Sequence, residues 1–512
     1  MNKKKITLIQ LDSATPTLVN HILMPRFGLP LIATILRDEG YDVHLHIEYI
    51  SGGIPWERIL ESDAVCFASF SSAARRTYEL ADCIRAKTNI PLIIGDTHAT
   101  HFPVSALEHF DYVVRAEGDE TIVRLLDALF NKSEAPEDIP GLSYRIGRQI
   151  FHNPGPAQVQ ELSKFSDYSL IKGYNIPLYK VYLRGYTRII PIQFSRGCHF
   201  NCKFCVVKTM FGPGYRVRDV EAMIKEIKDK RKYDRHFMFV DNNFAGNRNA
   251  TKKLLRRIIE EKIDGKYFCM VRIDIASDDE LLDLMRKAGV HELFFGFESI
   301  NDDTLKAFDK CQTRADIVRA VKKVRDYGMR IWGSFVIGGE DDRPKDIKEI
   351  VDFAVENDFF NLGMFPILNY PGVEPDKELI PESRILVHSW DYMSGNFVTY
   401  FPKQMKPSTL QREMLEGYRR FYSVFRAFKY LMRLRPRLAI RVLGLWIVTH
   451  RPLRKHMERY IQYLEEVEKG LYDEQDNLIE SRLKGRTIQP IWKVDGIEEI
   501  WKTEQSRKTG MP

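Results

Sequence analysis

Cys198-His199-Phe200-Asn201-Cys202-Lys203-Phe204-Cys205 places three of the chain's seven cysteines within eight residues. Outward from it, apolar runs at residues 189–194, 236–240, 267–273, 292–297, 331–337 and 361–367 alternate with helix-spaced segments at 220–230, 251–261, 279–288, 315–327 and 345–356. Such alternation predicts parallel strands wound with helices into a (β/α) barrel, with chemistry gathered on the loops after the strands. Six units fall short of the usual eight-stranded cylinder, so the spacing predicts a partial (β/α)6 barrel with an open side. The cysteine segment follows the first of these strands and therefore belongs at the barrel mouth.

Cys66, Cys83, Cys269 and Cys311 are scattered, and three of them fall in apolar strand-like or helix-like segments, where a thiol is a small buried hydrophobe. The clustered three call for metal. Structural zinc takes four ligands, usually from two pairs, and no second pair follows Cys205 closely. An iron–sulfur cluster binds thiolates readily and normally takes four; three thiolates on four irons leave one iron open to a substrate.

These residues resemble the radical S-adenosylmethionine (SAM) superfamily, whose hallmark is three cysteines spaced by three and two residues, with an aromatic before the last. Phe204 fills that place. The resemblance implies a 4Fe-4S cluster on Cys198, Cys202 and Cys205, whose free iron binds SAM and delivers an electron to its sulfonium, producing a 5'-deoxyadenosyl radical. Gly296-Phe297-Glu298-Ser299 and Gly333-Ser334-Phe335-Val336-Ile337-Gly338-Gly339-Glu340 end the fourth and fifth strands, much as in the same superfamily. A carboxylate there can accept from ribose hydroxyls or an ammonium, and glycines let backbone approach adenine. Arg272 and Asp241 end the third and second strands and face the same mouth; either is a candidate for the methionine carboxylate or amine. The expected SAM contacts are thus Phe204, Asp241, Arg272, Glu298, Ser299 and Gly338.

Ahead of the barrel, apolar runs at residues 6–11, 43–50, 64–70, 92–94 and 112–114 alternate with helical segments at 29–39, 73–86 and 120–130. That is the pattern of a doubly wound, Rossmann-like parallel sheet, which takes ligands beyond the strands' carboxyl ends. No Gly-x-Gly-x-x-Gly follows the first strand and no phosphate loop occurs, which excludes the nicotinamide and Walker readings. A doubly wound domain before the barrel resembles the cobalamin-binding-domain branch of radical SAM proteins, over residues 5 to 400 or so. The resemblance implies a corrin held at Ser69, Ser71 and Ser72, at Gly95, Asp96 and Thr97, and at Glu117 and Gly118. The chain departs from family habit at Gly95-Asp96 and Arg115-Ala116-Glu117-Gly118. Asp96-Thr97-His98 also imitates a cobalt-ligating motif on the wrong strand, and no lower axial histidine is assigned. Residues 131–185 read as a linker containing a small hairpin. The expected organisation is 1–150 cobalamin-binding-type domain, 151–187 linker, 188–400 radical SAM barrel and 401–512 helical domain.

At 512 residues, 44% apolar and 29% charged, the chain is a folded protein of about three domains rather than a disordered, collagenous or polytopic membrane chain. The net charge of +7 is too small over this length to imply nucleic acid. It is also local: residues 403–460 hold fifteen Lys/Arg against Glu413, Glu416 and Glu458, a net +12, so the rest of the chain carries −5. The basic helical tail interleaves arginines with Phe421, Phe425, Phe428 and Tyr430. Packing on the barrel explains such a tail; contact with anionic lipid or a hydrophobic substrate is the second reading. The longest apolar stretch, 438–448, is far short of a bilayer span and contains Arg441. The start carries no secretory pattern, so a cytoplasmic, at most membrane-peripheral, location is expected.

The sequence therefore points to a cobalamin-dependent radical SAM enzyme that abstracts hydrogen from an unactivated carbon of a small or lipid-like molecule, followed by methyl transfer. An external one-electron reductant of the flavodoxin or ferredoxin type would serve it. A radical cyclase or oxidoreductase without methyl transfer is the near alternative, and a cluster- or corrin-based sensor without turnover the distant one. Methylthiolation needs a second cysteine set, for which the first domain has only Cys66 and Cys83.

Overall fold

The strands of the first sheet alternate their side chains between two cores, which is why they read as continuous apolar runs. In the computed structural model, Ile6 and Leu8 pack with Cys66, Ala68 and Ile93 on one side. Ile9, Val65, Phe67, Leu92, Ile94 and Val113 pack together on the other. The structure describes residues 3–13, 15, 22–155, 158–175, 187–368, 370, 382–387, 389–450 and 452–483. Of the regions expected from sequence, parts of the linker (156–157 and 176–186) and the end of the helical domain (484–512) lie outside the described residues.

Parallel strands β1 (Lys5–Gln10), β2 (Asp42–Ile47), β3 (Ala64–Ala68), β4 (Leu92–Gly95) and β5 (Tyr112–Val114) form the expected doubly wound sheet. The hairpin read as part of a linker, β6 (Leu142–Ile146) and β7 (Gln149–His152), extends this sheet antiparallel to β5. The order is β2-β1-β3-β4-β5-β6-β7, so the strand order reverses beside β1 and a crevice opens above β1 and β3.

The second sheet begins at β8 (Ile190–Ile192). After it come an antiparallel pair, β9 (Ser195–Cys198) and β10 (Gly214–Val217), then β11 (His236–Phe239), β12 (Lys266–Val271), β13 (Val290–Glu298), β14 (Arg330–Ile337) and β15 (Asn361–Pro366). The order β8-β11-β12-β13-β14-β15 is parallel throughout, and β8 does not pair with β15, so the barrel is open. Helices begin where polar side chains cap them: Asp219, Asn247, Asp278 and Thr313 each accept from a backbone N–H of the first turn. The free edge of β15 is blunted by helix Pro407–Phe421, whose Tyr418 hydroxyl accepts from Met364 N and donates to Met364 O, each at 2.9 Å. Helices Val424–Met432, Pro436–His450 and Pro452–Val467 follow, giving the expected helical C-terminal unit. Among the described residues, no helix is long and apolar enough to cross a membrane.

Candidate functional site: a cysteine loop at the barrel mouth

Cys198 ends β9, and the residue before it dictates the local backbone. Gly197 has φ +87° and pairs so closely with β10 that a Cβ would stand 2.3 Å from the Gly214 carbonyl oxygen. Asn242 accepts from Gly197 N at 3.2 Å, and Tyr215 on β10 stacks on His199, ring centroids 5.1 Å apart. Beyond Cys198 the chain turns, Cys205 N donating to Cys202 O at 3.1 Å, and enters helix Val207–Phe211. All three thiols are half-buried and free. Burial raises Cys198 above the ordinary thiol range and pushes Cys205 up to about 11, while Arg272 opposes the first shift and Lys310 both.

Arg272, just beyond β12, lies 3.6 Å over the Phe200 ring. It reaches Cys202 Sγ at 3.7 Å and donates to Lys310 O at 2.7 Å. Lys310 in turn donates to Glu298 Oε1 at 2.8 Å, an ion pair with both side chains under a tenth exposed. Phe204 packs against Phe308 at 5.5 Å with the Lys310 ammonium 5.8 Å from its ring. Three of the residues expected at SAM, Phe204, Arg272 and Glu298, thus gather at the cysteine loop. The other three are turned to protein partners. Asp241, fully buried, accepts from Phe194 N at 3.1 Å and from the Ser195 hydroxyl, and desolvation pushes its carboxyl up to about 7. Ser299 accepts from Asn301 N at 3.0 Å. Gly338, at φ +84°, and Gly339 both donate to Asp342 Oδ2 at 2.9 Å, and the Tyr400 hydroxyl donates to Gly338 O at 2.7 Å.

Sequence reading missed Lys310 and Phe200. No pattern marks a lysine destined for burial; only the sequence distance of twelve from Glu298 is visible. Among the described residues no three His, Cys, Asp or Glu side chains converge as for a single metal ion. A four-iron cube places each thiolate on a different iron, so three free thiols on one loop with two cations beside them fit that group.

On the facing domain the corrin candidates divide. Ser72 shares a hydrogen bond with Ser13 across the β1/β3 crevice at 2.7 Å, and Ser69 with Thr77 at 3.3 Å. Ser71 bonds His98 Nδ1 at 3.0 Å while Tyr78 holds Nε2 at 2.7 Å, so neither ring nitrogen is free; burial depresses His98 to about 3. Asp96, at φ +77°, accepts from Thr97 N at 2.6 Å and faces Arg26 at 3.8 Å, whose guanidinium lies over Phe70. A Cβ on Gly95 would sit 3.3 Å from Val114 O, and one on Gly118 3.1 Å from Val114 Cγ1. Glu117 reaches the barrel: it pairs with Arg216 on β10, lies 3.7 Å from Arg196 on β9, and accepts from Val159 N at 2.9 Å. Asp119 holds Arg196 at 2.9 Å, and His101 meets Thr209 at 2.9 Å. The hairpin carrying Cys198 is therefore clamped to the loops after β4 and β5.

Residues 192–354 match the family model described as Radical SAM superfamily. The chain is 26% identical over 413 residues to a bacteriochlorophyllide d C-8(2)-methyltransferase of Chlorobaculum tepidum, covering 78% of this chain and 86% of that one. It is 27% identical over 429 residues to an anaerobic magnesium-protoporphyrin IX monomethyl ester cyclase of Cereibacter sphaeroides, covering 78% and 67%. Its fold is similar to that of the cobalamin-dependent S-adenosylmethionine radical enzyme OxsB solved with aqua-cobalamin bound, with a TM-score of 0.65 and 15% identity over 99% of this chain and 75% of that one. The kinship expected from the cysteine spacing is borne out: residues 192–354 match the radical SAM superfamily, and the chain as a whole has a fold similar to that of a cobalamin-dependent S-adenosylmethionine radical enzyme.

Proposed function

We propose that the chain is a cobalamin-dependent radical SAM enzyme that abstracts hydrogen from an unactivated carbon of a small or lipid-like substrate and methylates it. The observation that carries this reading is the cysteine loop itself: three free thiols beside Arg272 and the Glu298–Lys310 pair, on a hairpin clamped to the loop after β5 of a doubly wound domain. Cys198, Cys202 and Cys205 would hold a 4Fe-4S cluster, and Ser69, Ser71, Ser72, Gly95, Asp96 and Thr97, which end or follow β3 and β4, lie where the corrin would be taken. When bound, these groups supply the electron that splits SAM into methionine and a 5'-deoxyadenosyl radical, and a transferable methyl group.

The chain's own residues bind, orient and exclude water. Arg272 and Lys310 set positive charge beside the cysteine loop, which opposes the upward push of burial on Cys198, as Lys310 does on Cys205, and suits the carboxylate of an incoming methionine. Glu298 Oε1 is the acceptor for an ammonium or ribose hydroxyl. Phe200, Phe204 and Phe308 wall the loop with apolar surface, keeping water from a reactive site. Asp241, behind the site, fixes the turn from β8 into β9 through Phe194 and Ser195. Electrons come from an external flavodoxin- or ferredoxin-type reductant, and the enzyme works in the cytoplasm.

The cyclase kinship favours a second reading, in which the same hydrogen abstraction ends in ring formation. Anaerobic reconstitution with iron and sulfide, followed by dithionite and SAM, tests both: 5'-deoxyadenosine forms, and the triple variant Cys198→Ala/Cys202→Ala/Cys205→Ala loses both iron and product. An intact cluster that yields no 5'-deoxyadenosine in the presence of substrate extracts would overturn the enzyme reading in favour of a sensor. The mass of the product separates methylation from cyclisation.

A further inference from the structure

Residues 417–457 contain eleven Lys/Arg and no Asp or Glu. They include the helical hairpin formed by Val424–Met432 and Pro436–His450. Its inner face is satisfied. Ala427, Tyr430, Ala439 and Val442 make a small core of their own. Tyr430 donates to Asp358 Oδ1 at 2.8 Å, and Arg441 donates to Asn361 Oδ1 at 2.6 Å while lying 3.8 Å over Phe360. The outer face has the opposite character. Phe425, Phe428 and Met432, spaced three and four apart on one side of the first helix, are 79%, 57% and 70% exposed. Leu434 at the bend is 90% exposed, and Ile440 on the second helix continues the patch. Lys429, Arg435 and Arg437 are exposed among these residues, and no ion pair holds them among the described residues.

A large apolar face is costly to leave in water, and it marks an interaction site when it is contiguous. Its charge chooses the partner. A second copy packed face to face would oppose unneutralised cations, and nucleic acid would neutralise them but leave phenylalanine and leucine wet. Apolar side chains seated at headgroup depth, with lysine and arginine at the phosphates, satisfy both features at once. No described helix can span a bilayer, so the contact is interfacial. The hairpin is tied to residues 358–361, at the start of β15, whereas the cysteine loop lies at the opposite, carboxyl end of the barrel strands.

We propose that the outer face of the hairpin Val424–Met432/Pro436–His450 is a docking surface for anionic phospholipid membranes, holding the barrel mouth away from the bilayer. The inference goes beyond the catalytic reading and holds whether or not the barrel performs radical chemistry. The full chain is mixed with phosphatidylcholine vesicles with and without phosphatidylglycerol and sedimented. Binding is expected only with phosphatidylglycerol, and salt should release it. Phe425→Ser/Phe428→Ser/Leu434→Ser should lower partitioning by about tenfold or more, and each of Lys429→Gln, Arg435→Gln and Arg437→Gln by about fivefold. Circular dichroism and SAM cleavage should stay unchanged in all of them, since none touches the cysteine loop. Failure of the full chain to bind anionic vesicles, or binding unaffected by both sets, would overturn the proposal. So would a stable dimer that the apolar substitutions split, which would assign the face to a second copy.

Discussion

Replacing Glu117 with glutamine separates two roles that the sequence leaves merged at that position. The carboxylate is 3% exposed, lies between Arg216 (10%) and Arg196 (7%), and accepts from Arg216 Nη1 and Val159 N, each at 2.9 Å. Glutamine keeps the size and one acceptor but leaves the Arg216 guanidinium buried without its counter-charge. Removing one member of a buried pair costs about 3–5 kcal/mol, and the retained acceptor places this variant near the lower end. If that loss falls on the contact between the two domains, about 3 kcal/mol weakens their docking roughly a hundredfold. Urea unfolding followed by tryptophan fluorescence, with limited proteolysis across the domain junction, should show a lowered midpoint and faster cleavage. Arg216→Met should do the same, and the double variant should lose less than the sum of the two. The refuting result is an unchanged midpoint and cleavage rate together with loss of the cobalt absorption after cobalamin reconstitution. That would make Glu117 a corrin contact and the arginine clamp incidental.

Three further outcomes follow from the same geometry. Because burial lifts Asp241 to about 7, against about 3.9 in an unfolded chain, its protonated form favours the fold. Its contribution is full at low pH and is lost as pH rises from about 4 to about 7, by up to roughly 4 kcal/mol in all, so Asp241→Asn should flatten that part of the stability–pH curve relative to the parent chain. Gly197→Ala must adopt positive φ and place its Cβ 2.3 Å from Gly214 O; reconstituted iron should fall sharply while far-ultraviolet circular dichroism stays the same. With Ser71 and Tyr78 on its two nitrogens, His98 has none to give cobalt, so cobalamin bound to the reduced protein should show no histidine nitrogen splitting in electron paramagnetic resonance, and His98→Gln should leave that spectrum unchanged.

The barrel and the doubly wound sheet were legible because their signal is one-dimensional. Runs such as residues 64–70 and 331–337 are apolar on successive positions, and a strand covered on both faces demands that of its own sequence. The cysteine loop was legible for a similar reason, since its ligand spacing lies within eight residues. What could not be read are features whose partners are far apart. The β9/β10 pair, Ser195–Cys198 with Gly214–Val217, has no apolar alternation; the Gly197–Gly214 approach and arginines paired to Glu117 and Asp119 hold it. The hairpin Leu142–His152 reads as local and becomes part of a sheet only through backbone pairing with β5. Lys310 is invisible until the irregular register near Gly296 and Glu298 turns the Glu298 carboxylate toward it.

The fate of the carboxylates bears on the chemistry. Each acidic side chain that the sequence places at a strand end near the cysteine loop is already engaged: Asp241 by Ser195, Glu298 by Lys310, Glu117 by Arg216, and Asp342 by Gly338, Gly339 and Thr304. A site built for general acid–base catalysis would hold one such group within reach of a substrate proton, with an acidity tuned for the transfer. Asp241 has the tuned acidity but is sealed behind β8 and β9, and Glu298 has the position but carries an ammonium. A homolytic hydrogen abstraction makes no such demand, because the atom leaves with its electron and no proton acceptor is required. What it needs is a rigid, apolar-walled mouth in which a reactive carbon centre meets its target before it meets anything else. The clamp of Asp119, Glu117 and His101 on the cysteine hairpin supplies that rigidity from the neighbouring domain, so loosening the clamp should raise SAM cleavage uncoupled from product before it lowers SAM cleavage itself.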